Sequence, residues 1–173
     1  WAEPVSRPDL SAATGVVDPY AYRHRVRELM SRPIVAVAGT VTVRQAVNLM
    51  VERRISSLFV CDDGRPDGPV SGYGIVTERD VMRLVAAHGA DALSQPVGGF
   101  ASRPLASIAA GAFVYRAIGR MERLKIRHLA VRDEDERLAG VISARDLLRL
   151  RAGAAIGLDD AIRAAGGAAE MAR

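Results

Sequence analysis

The chain has 173 residues, 49% of them hydrophobic and 25% charged, a globular composition on a chain long enough to bury a core. No apolar run approaches the ~20 residues of a transmembrane helix and the N-terminus lacks the basic-then-apolar pattern of a signal peptide. Cys61 is the lone cysteine, so no intrachain disulfide can form, and a cytoplasmic location without a membrane partner is expected. The net charge is +4, but the arginines are interspersed with Asp and Glu rather than gathered in a block, which argues against a nucleic-acid partner.

In chain order, Asp18-Pro19 is a helix start, with Asp as N-cap and Pro in the first position, and that helix should lead into the first unit of a repeat. Val26, Met30, Ser31, Arg32 and Pro33 recur as Val97, Ala101, Ser102, Arg103 and Pro104, an offset of 71 residues. The same offset pairs Ala46 with Ala117, Met50 with Met121, Ile55 with Ile126 and Leu58 with Leu129. A second block, Gly74-Ile75-Val76-Thr77-Glu78-Arg79-Asp80, recurs as Gly140-Val141-Ile142-Ser143-Ala144-Arg145-Asp146 at an offset of 66. The slip lies in Asp63-Gly64-Arg65-Pro66-Asp67-Gly68-Pro69, where a hairpin loop tolerates insertion.

Each unit reads as strand, helix, strand, strand, helix. Ile34-Val35-Ala36-Val37, bounded by Pro33 and Gly39, predicts a short strand. Thr42 with Gln45 three residues on predicts a capping box. The helix it opens carries Val43, Ala46, Val47, Met50 and Val51 on one apolar face, and Val114, Ala117, Ile118 and Met121 repeat that stripe. Leu58-Phe59-Val60 and Tyr73-Gly74-Ile75-Val76 predict a hairpin, with Leu129-Ala130-Val131 and Gly140-Val141-Ile142 as its counterpart. The last helices carry Val81, Met82 and Leu84 in one unit, and Leu147, Leu148 and Leu150 in the other.

The expected fold class is therefore α/β. Each repeat is too small to bury both faces of its hairpin alone, so the two should pack sheet to sheet into one body with flanking helices. The expected divisions are an N-terminal segment and linker helix at 1–25, the first repeat at 26–88, the second at 97–150 and a connector at 151–173. The chain begins at Trp1 without an initiator Met and ends in a weak amphipathic stretch broken by Gly157 and Gly166-Gly167. A larger protein is expected, with an effector domain outside these residues.

Thr77-x-x-Asp80 and Ser143-x-x-Asp146 each sit where a strand turns into a helix. One chemistry for this pattern is a capping box. Another is ligand binding: a carboxylate accepts the hydroxyls of a ribose, while a hydroxyl and free helix N–H groups suit a phosphate oxygen. The same residues can cap when empty and bind when full. His24 and His88 have no second ligand nearby in sequence, so no metal site is expected. Cys61, beside Asp62 and Asp63, should be an unreactive thiol. Met30, Met50, Met82 and Met121 fall on core-facing positions. Gly98-Gly99 lacks the spacing of a phosphate loop. With no nucleophile–base pair, metal cluster or P-loop, neither catalysis nor a cofactor is expected.

Both copies close on Gly-hydrophobic-hydrophobic-Thr/Ser-x-x-Asp, with helix and hairpin in order from Val26 to Leu150. In this the chain resembles the CBS domain family, and two such repeats in tandem look like a Bateman module. The resemblance implies two repeats about a pseudo-twofold axis and two clefts between them. It further implies AMP, ADP, ATP or a related adenosyl compound as regulatory ligand, and a homodimer. Carried over residue by residue, one cleft would combine Thr77 and Asp80 with Ile126, Arg127 and His128. The other would combine Ser143 and Asp146 with Ile55, Ser56 and Ser57, with Val35 beside the adenine. Arg127 and His128 would face a polyphosphate where Ser56 and Ser57 offer only hydroxyls, so the Asp80 cleft is expected to prefer the more highly charged nucleotide.

More narrowly, Phe113-Val114-Tyr115-Arg116-Ala117-Ile118-Gly119-Arg120-Met121 and Ser143-Ala144-Arg145-Asp146-Leu147-Leu148-Arg149-Leu150-Arg151 resemble the CBS region of bacterial multidomain signalling proteins. Those place a cyclic-nucleotide-binding domain before the pair and a nucleotidyltransferase-like domain after it. The implied function is a nucleotide-binding module that controls an attached effector domain in signal transduction. The alternative is a structural dimerisation module whose clefts stay empty.

Overall fold

The structure, a computed structural model, describes residues 19–149. Asp18, Leu150 and the tail from Ala152 to Arg173, on which three of the expectations above fall, lie outside the described residues. The elements are α1 (Pro19–Arg23), β1 (Ala36–Ala38), α2 (Val43–Arg53), β2 (Ser57–Cys61), β3 (Gly74–Thr77), α3 (Glu78–His88), β4 (Ser107–Ala109), α4 (Val114–Leu124), β5 (His128–Arg132) and β6 (Leu138–Ser143). A last helix, α5, occupies residues 144–149. They form the expected α/β fold of two three-stranded sheets, β1-β2-β3 and β4-β5-β6. In each, the first strand runs parallel to the second and the second antiparallel to the third.

Thr42 caps α2 as its sequence predicts: its hydroxyl accepts from the Gln45 N–H at 3.2 Å, and the Gln45 side chain accepts from the Thr42 N–H at 3.0 Å. The apolar stripes are narrower than the periodicity suggests. Val43, Ala46 and Met50 are buried on α2, and Val114, Ala117 and Met121 on α4. Val51, by contrast, is 73% exposed, Ile118 39% and Leu148 63%. Met82 is also a correction, at 72% exposure; on α3 it is Leu84 that reaches the core. The first strand begins at Ala36 rather than Ile34, and the Val35 carbonyl accepts from the Phe59 N–H at 2.9 Å.

The two units exchange their leading segments. Residues 25–31 do not pack on the sheet that follows them: Arg25 bridges to Phe113 and Ser31 to Val141, both in the second unit. Reciprocally, Pro96 bridges to Thr42 and Ser102 to Ile75 in the first. Val26, Leu29 and Met30 thereby join the core of Ile108, Ala117, Met121, Leu129, Val131 and Ile142. Ala92, Val97, Phe100 and Ala101 join the core of Val37, Val43, Ala46, Met50, Leu58, Val60 and Val76. Helix α1 follows the same exchange, packing on α4 with Tyr22 stacked on Tyr115 at 4.7 Å. It leads into the first unit along the chain but rests on the second.

Between the sheets lies a third apolar layer. Phe59, Cys61 and Tyr73 from one repeat meet Ala130 and Leu138 from the other. Neither hairpin could bury both faces without this contact. It brings the starts of β2 and β5 side by side, and with them the loops and helix N-termini that form the clefts.

Candidate functional site

Two cavities open where the repeats meet. The first, of about 280 Å³, is lined by Val35, Ile55, Ser56, Ser57, Ser143 and Asp146. The second, of about 770 Å³, is lined by Thr77, Asp80, Ile126, Arg127 and His128. The structure thus brings together all eleven residues singled out from the sequence, in the two groups expected.

The local folding that builds each cleft is the strand-to-helix turn. Asp80 Oδ2 accepts from the Thr77 N–H at 2.9 Å and from its hydroxyl at 2.7 Å, while the Thr77 oxygen lies 3.4 Å from the Asp80 N–H. Asp146 Oδ2 accepts likewise from the Ser143 N–H at 2.8 Å and the Ser143 hydroxyl at 2.6 Å. Both motifs are therefore capping boxes, and each commits a single carboxylate oxygen to the cap. Oδ1 of Asp80 has no protein partner among the described residues, and Oδ1 of Asp146 has only the Ser31 hydroxyl at 3.5 Å. An ionised carboxylate offers about four acceptor positions, so each cap leaves an oxygen able to receive ribose hydroxyls.

The charge contrast expected between the clefts does not hold. Arg32, Arg53, Arg54, Arg145 and Arg149 line the Asp146 cleft beside the hydroxyls of Ser56 and Ser57. The Asp80 cleft has Arg79, Arg83, Lys125, Arg127 and Arg145, offset by Glu78 and Asp80. The repeat register carries the missed signal: Arg54 corresponds to Lys125 at the 71-residue offset, and Arg79 and Arg83 to Arg145 and Arg149 at the 66-residue offset. Arg54 and Lys125 cap α2 and α4 in the left-handed region, at φ 54° and 55°. The clefts do differ in room, and where one has Val35 the other has Ala106, its repeat partner.

His128 is half-buried in the wall between the clefts. Burial pushes its pKa below the ordinary value, with Arg145 adding to the fall, while Asp146, Glu78 and Asp80 act in the opposite direction. Its Nε2 lies 3.0 Å from Ser56 Oγ, and both residues line both cavities. Elsewhere, His24 pairs with Glu28 at 2.5 Å. Cys61 is buried, and burial followed by the neighbouring Asp63 pushes its thiol pKa up. Among the described residues no cluster of His, Cys, Asp and Glu suited to a metal ion occurs, and no helix is long and apolar enough to cross a membrane.

A pair of repeats, each a three-stranded sheet with helices and a capped carboxylate facing the other repeat, defines a tandem α/β module with interrepeat clefts. The CBS domain family profile matches residues 26–87 and 97–153, and the chain belongs to that family as a tandem pair. Similar proteins include an AMP-bound CBS domain protein from Pyrobaculum aerophilum, 31% identical over 72% of this chain and 90% of that one, with a TM-score of 0.62. A hexameric CBS-CP12 protein from bloom-forming cyanobacteria is 31% identical over 72% of this chain and 69% of its own, with a TM-score of 0.63. Hypoxic response protein 1 of Mycobacterium tuberculosis is 27% identical over 124 residues, covering 71% of this chain and 82% of the relative.

Proposed function

We propose that this chain is a regulatory module that binds AMP, ADP or ATP in its two clefts and passes their occupancy to an effector domain. The observation that carries this is the second oxygen of each capped carboxylate, unpartnered among the described residues in Asp80 and held only by the 3.5 Å Ser31 contact in Asp146, in a cleft also lined by an isoleucine of the opposite repeat. An adenine ring fits the apolar wall of Ile126 or of Ile55 and Val35, the ribose fits the carboxylate, and the surrounding cations suit phosphate. The AMP in the Pyrobaculum aerophilum relative supports the ligand class. A nucleotide touching both repeats favours one relative arrangement of them, and that differential affinity is what the effector would read.

The narrower reading places the chain in the cytoplasm, between the cyclic-nucleotide-binding and nucleotidyltransferase-like domains of a bacterial signalling protein, with repeats at 26–88 and 97–150. Self-association through the repeats is supported by the apolar side chains that α2, α3 and α4 expose, Val51, Met82 and Ile118 among them. The hexameric relative supports it further. Those same side chains serve equally in the second reading, a structural dimerisation module with empty clefts.

Calorimetric titration with AMP, ADP, ATP, cyclic di-AMP and S-adenosylmethionine separates the two. Saturable binding lost one cleft at a time in Asp80→Ala and Asp146→Ala is the expected result. No heat from any ligand, with the protein folded and dimeric, would leave the structural module standing.

A further inference from the structure

The clefts share a wall. Ser56, His128, Ser143 and Arg145 line both cavities. Of these, Arg145 alone holds a permanent charge. The Ser143 hydroxyl is committed to Asp146, Ser56 to His128, and burial favours the neutral imidazole of His128. Arg145 is exposed and has no hydrogen bond or ion pair with any other described residue. The pseudo-twofold symmetry breaks at this residue, because its counterpart Arg79 lines the Asp80 cleft alone.

Resting on the nucleotide-binding reading above, we propose that Arg145 is a common phosphate ligand of the two clefts, so that phosphorylated ligands compete for it and bind with negative coupling. A phosphate in one cleft that engages the guanidinium withdraws that charge from the other. The second phosphate then keeps the cations of its own cleft, but meets neutral groups along the shared wall and an anion beyond it. An uncharged nucleoside makes no demand on Arg145 and fills the clefts independently. By linkage the penalty is mutual, whichever cleft fills first.

The test is calorimetry on the whole chain with adenosine, AMP and ATP. Asp80→Ala and Asp146→Ala each leave one cleft and give its intrinsic affinity. Asp80→Asn and Asp146→Asn, which keep an acceptor for the cap, replace them if the alanine forms lose their helix. The second ATP is expected to bind the wild type at least about 5-fold more weakly than the single-cleft affinities and statistics require, the low end of usual couplings. Raising the salt should shrink that gap, and adenosine should show none.

Arg145→Gln should weaken ATP in both single-cleft backgrounds, whereas Arg79→Gln should weaken it only where the Asp80 cleft survives. Two outcomes overturn the proposal: ATP steps equal to the intrinsic affinities, or an Arg145→Gln effect confined to one background. Independent filling by adenosine and ATP alike defeats the coupling but leaves the nucleotide module intact. Absence of all binding removes both.

Discussion

Ser56 Oγ lies 3.0 Å from His128 Nε2, a contact across the repeat interface between residues 72 apart. In the folded protein burial depresses the imidazole pKa below its ordinary 6.5. The unfolded chain therefore binds more protons than the folded one in the window beneath 6.5. Stability from this group is present above that pH and is lost as pH falls toward the folded value. The urea midpoint should drop between pH 7.5 and 5.5, and His128→Asn should flatten part of the slope. Equal slopes in the two proteins would show that His128 is not the group responsible.

The left-handed caps hold a second prediction. A non-glycine residue at φ 54° or 55°, as at Arg54 and Lys125, costs about 1 kcal/mol. Glycine removes that cost, though its freer unfolded chain returns part of it. Arg54→Gly and Lys125→Gly should leave stability unchanged or raise it by up to about 1 kcal/mol. Each should also weaken ATP in the cleft it lines, the Asp146 cleft for Arg54 and the Asp80 cleft for Lys125. Denaturant midpoints measured beside calorimetry check both halves. A stability loss in either variant would mean the cationic side chain holds the turn.

Much of this architecture is local, and so was readable from sequence. The Thr42–Gln45, Thr77–Asp80 and Ser143–Asp146 boxes form between residues three apart, and each hairpin repeats the spacing of its copy. The membership of the two clefts came from family resemblance, since no local pattern says which repeat supplies the opposite wall. What periodicity could not show is set by tertiary contacts. Val51 and Met82 continue apolar stripes, yet among the described residues they stay exposed, and an apolar residue in sequence does not reveal where the core ends. The exchange of residues 25–31 and 96–102 is equally non-local, because either segment could have packed on its own sheet. Arg32 reaches the Asp146 cleft behind the exchanged segment and Arg53 from the end of α2, whereas Arg145 and Arg149 were available from the repeat offset alone.

Gly98 marks where the exchanged segment meets the first repeat. Its N–H donates to the Gly39 carbonyl at 2.9 Å, and Val97 N–H to Val41 O at 2.8 Å. A Cβ on Gly98 would sit 2.9 Å from both the Cα and the carbonyl oxygen of Gly39, whereas one on Gly39 would meet Gly98 Cα at 3.4 Å. The obstruction at Gly98 is backbone, which cannot swing aside as a side chain does. Gly98→Ala should cost about 1–3 kcal/mol, the range of an overpacked site, and Gly39→Ala clearly less. Thermal unfolding of the two variants tests the order. A harmless Gly98→Ala would mean that the segment can slide away from the sheet.

Arg127 distinguishes the clefts more cleanly than net charge does. Its repeat partner is Ser56, which is hydrogen-bonded to His128, whereas Arg127 is an exposed cation in the wall of the roomier Asp80 cleft. If a nucleotide's phosphates lie against the start of β5, Arg127→Ala removes a charge-assisted bond worth about 1.5–3 kcal/mol. ATP affinity in the Asp80 cleft should then fall about 10-fold or more, with adenosine nearly unaffected and the Asp146 cleft unchanged. The measurement is ATP and adenosine titration of Arg127→Ala in the Asp146→Ala background for the Asp80 cleft, and in the Asp80→Ala background for the Asp146 cleft. An unchanged ATP affinity would leave Arg127 a solvated charge at a strand end, and would move the phosphate subsite to Arg79, Arg83 and Lys125.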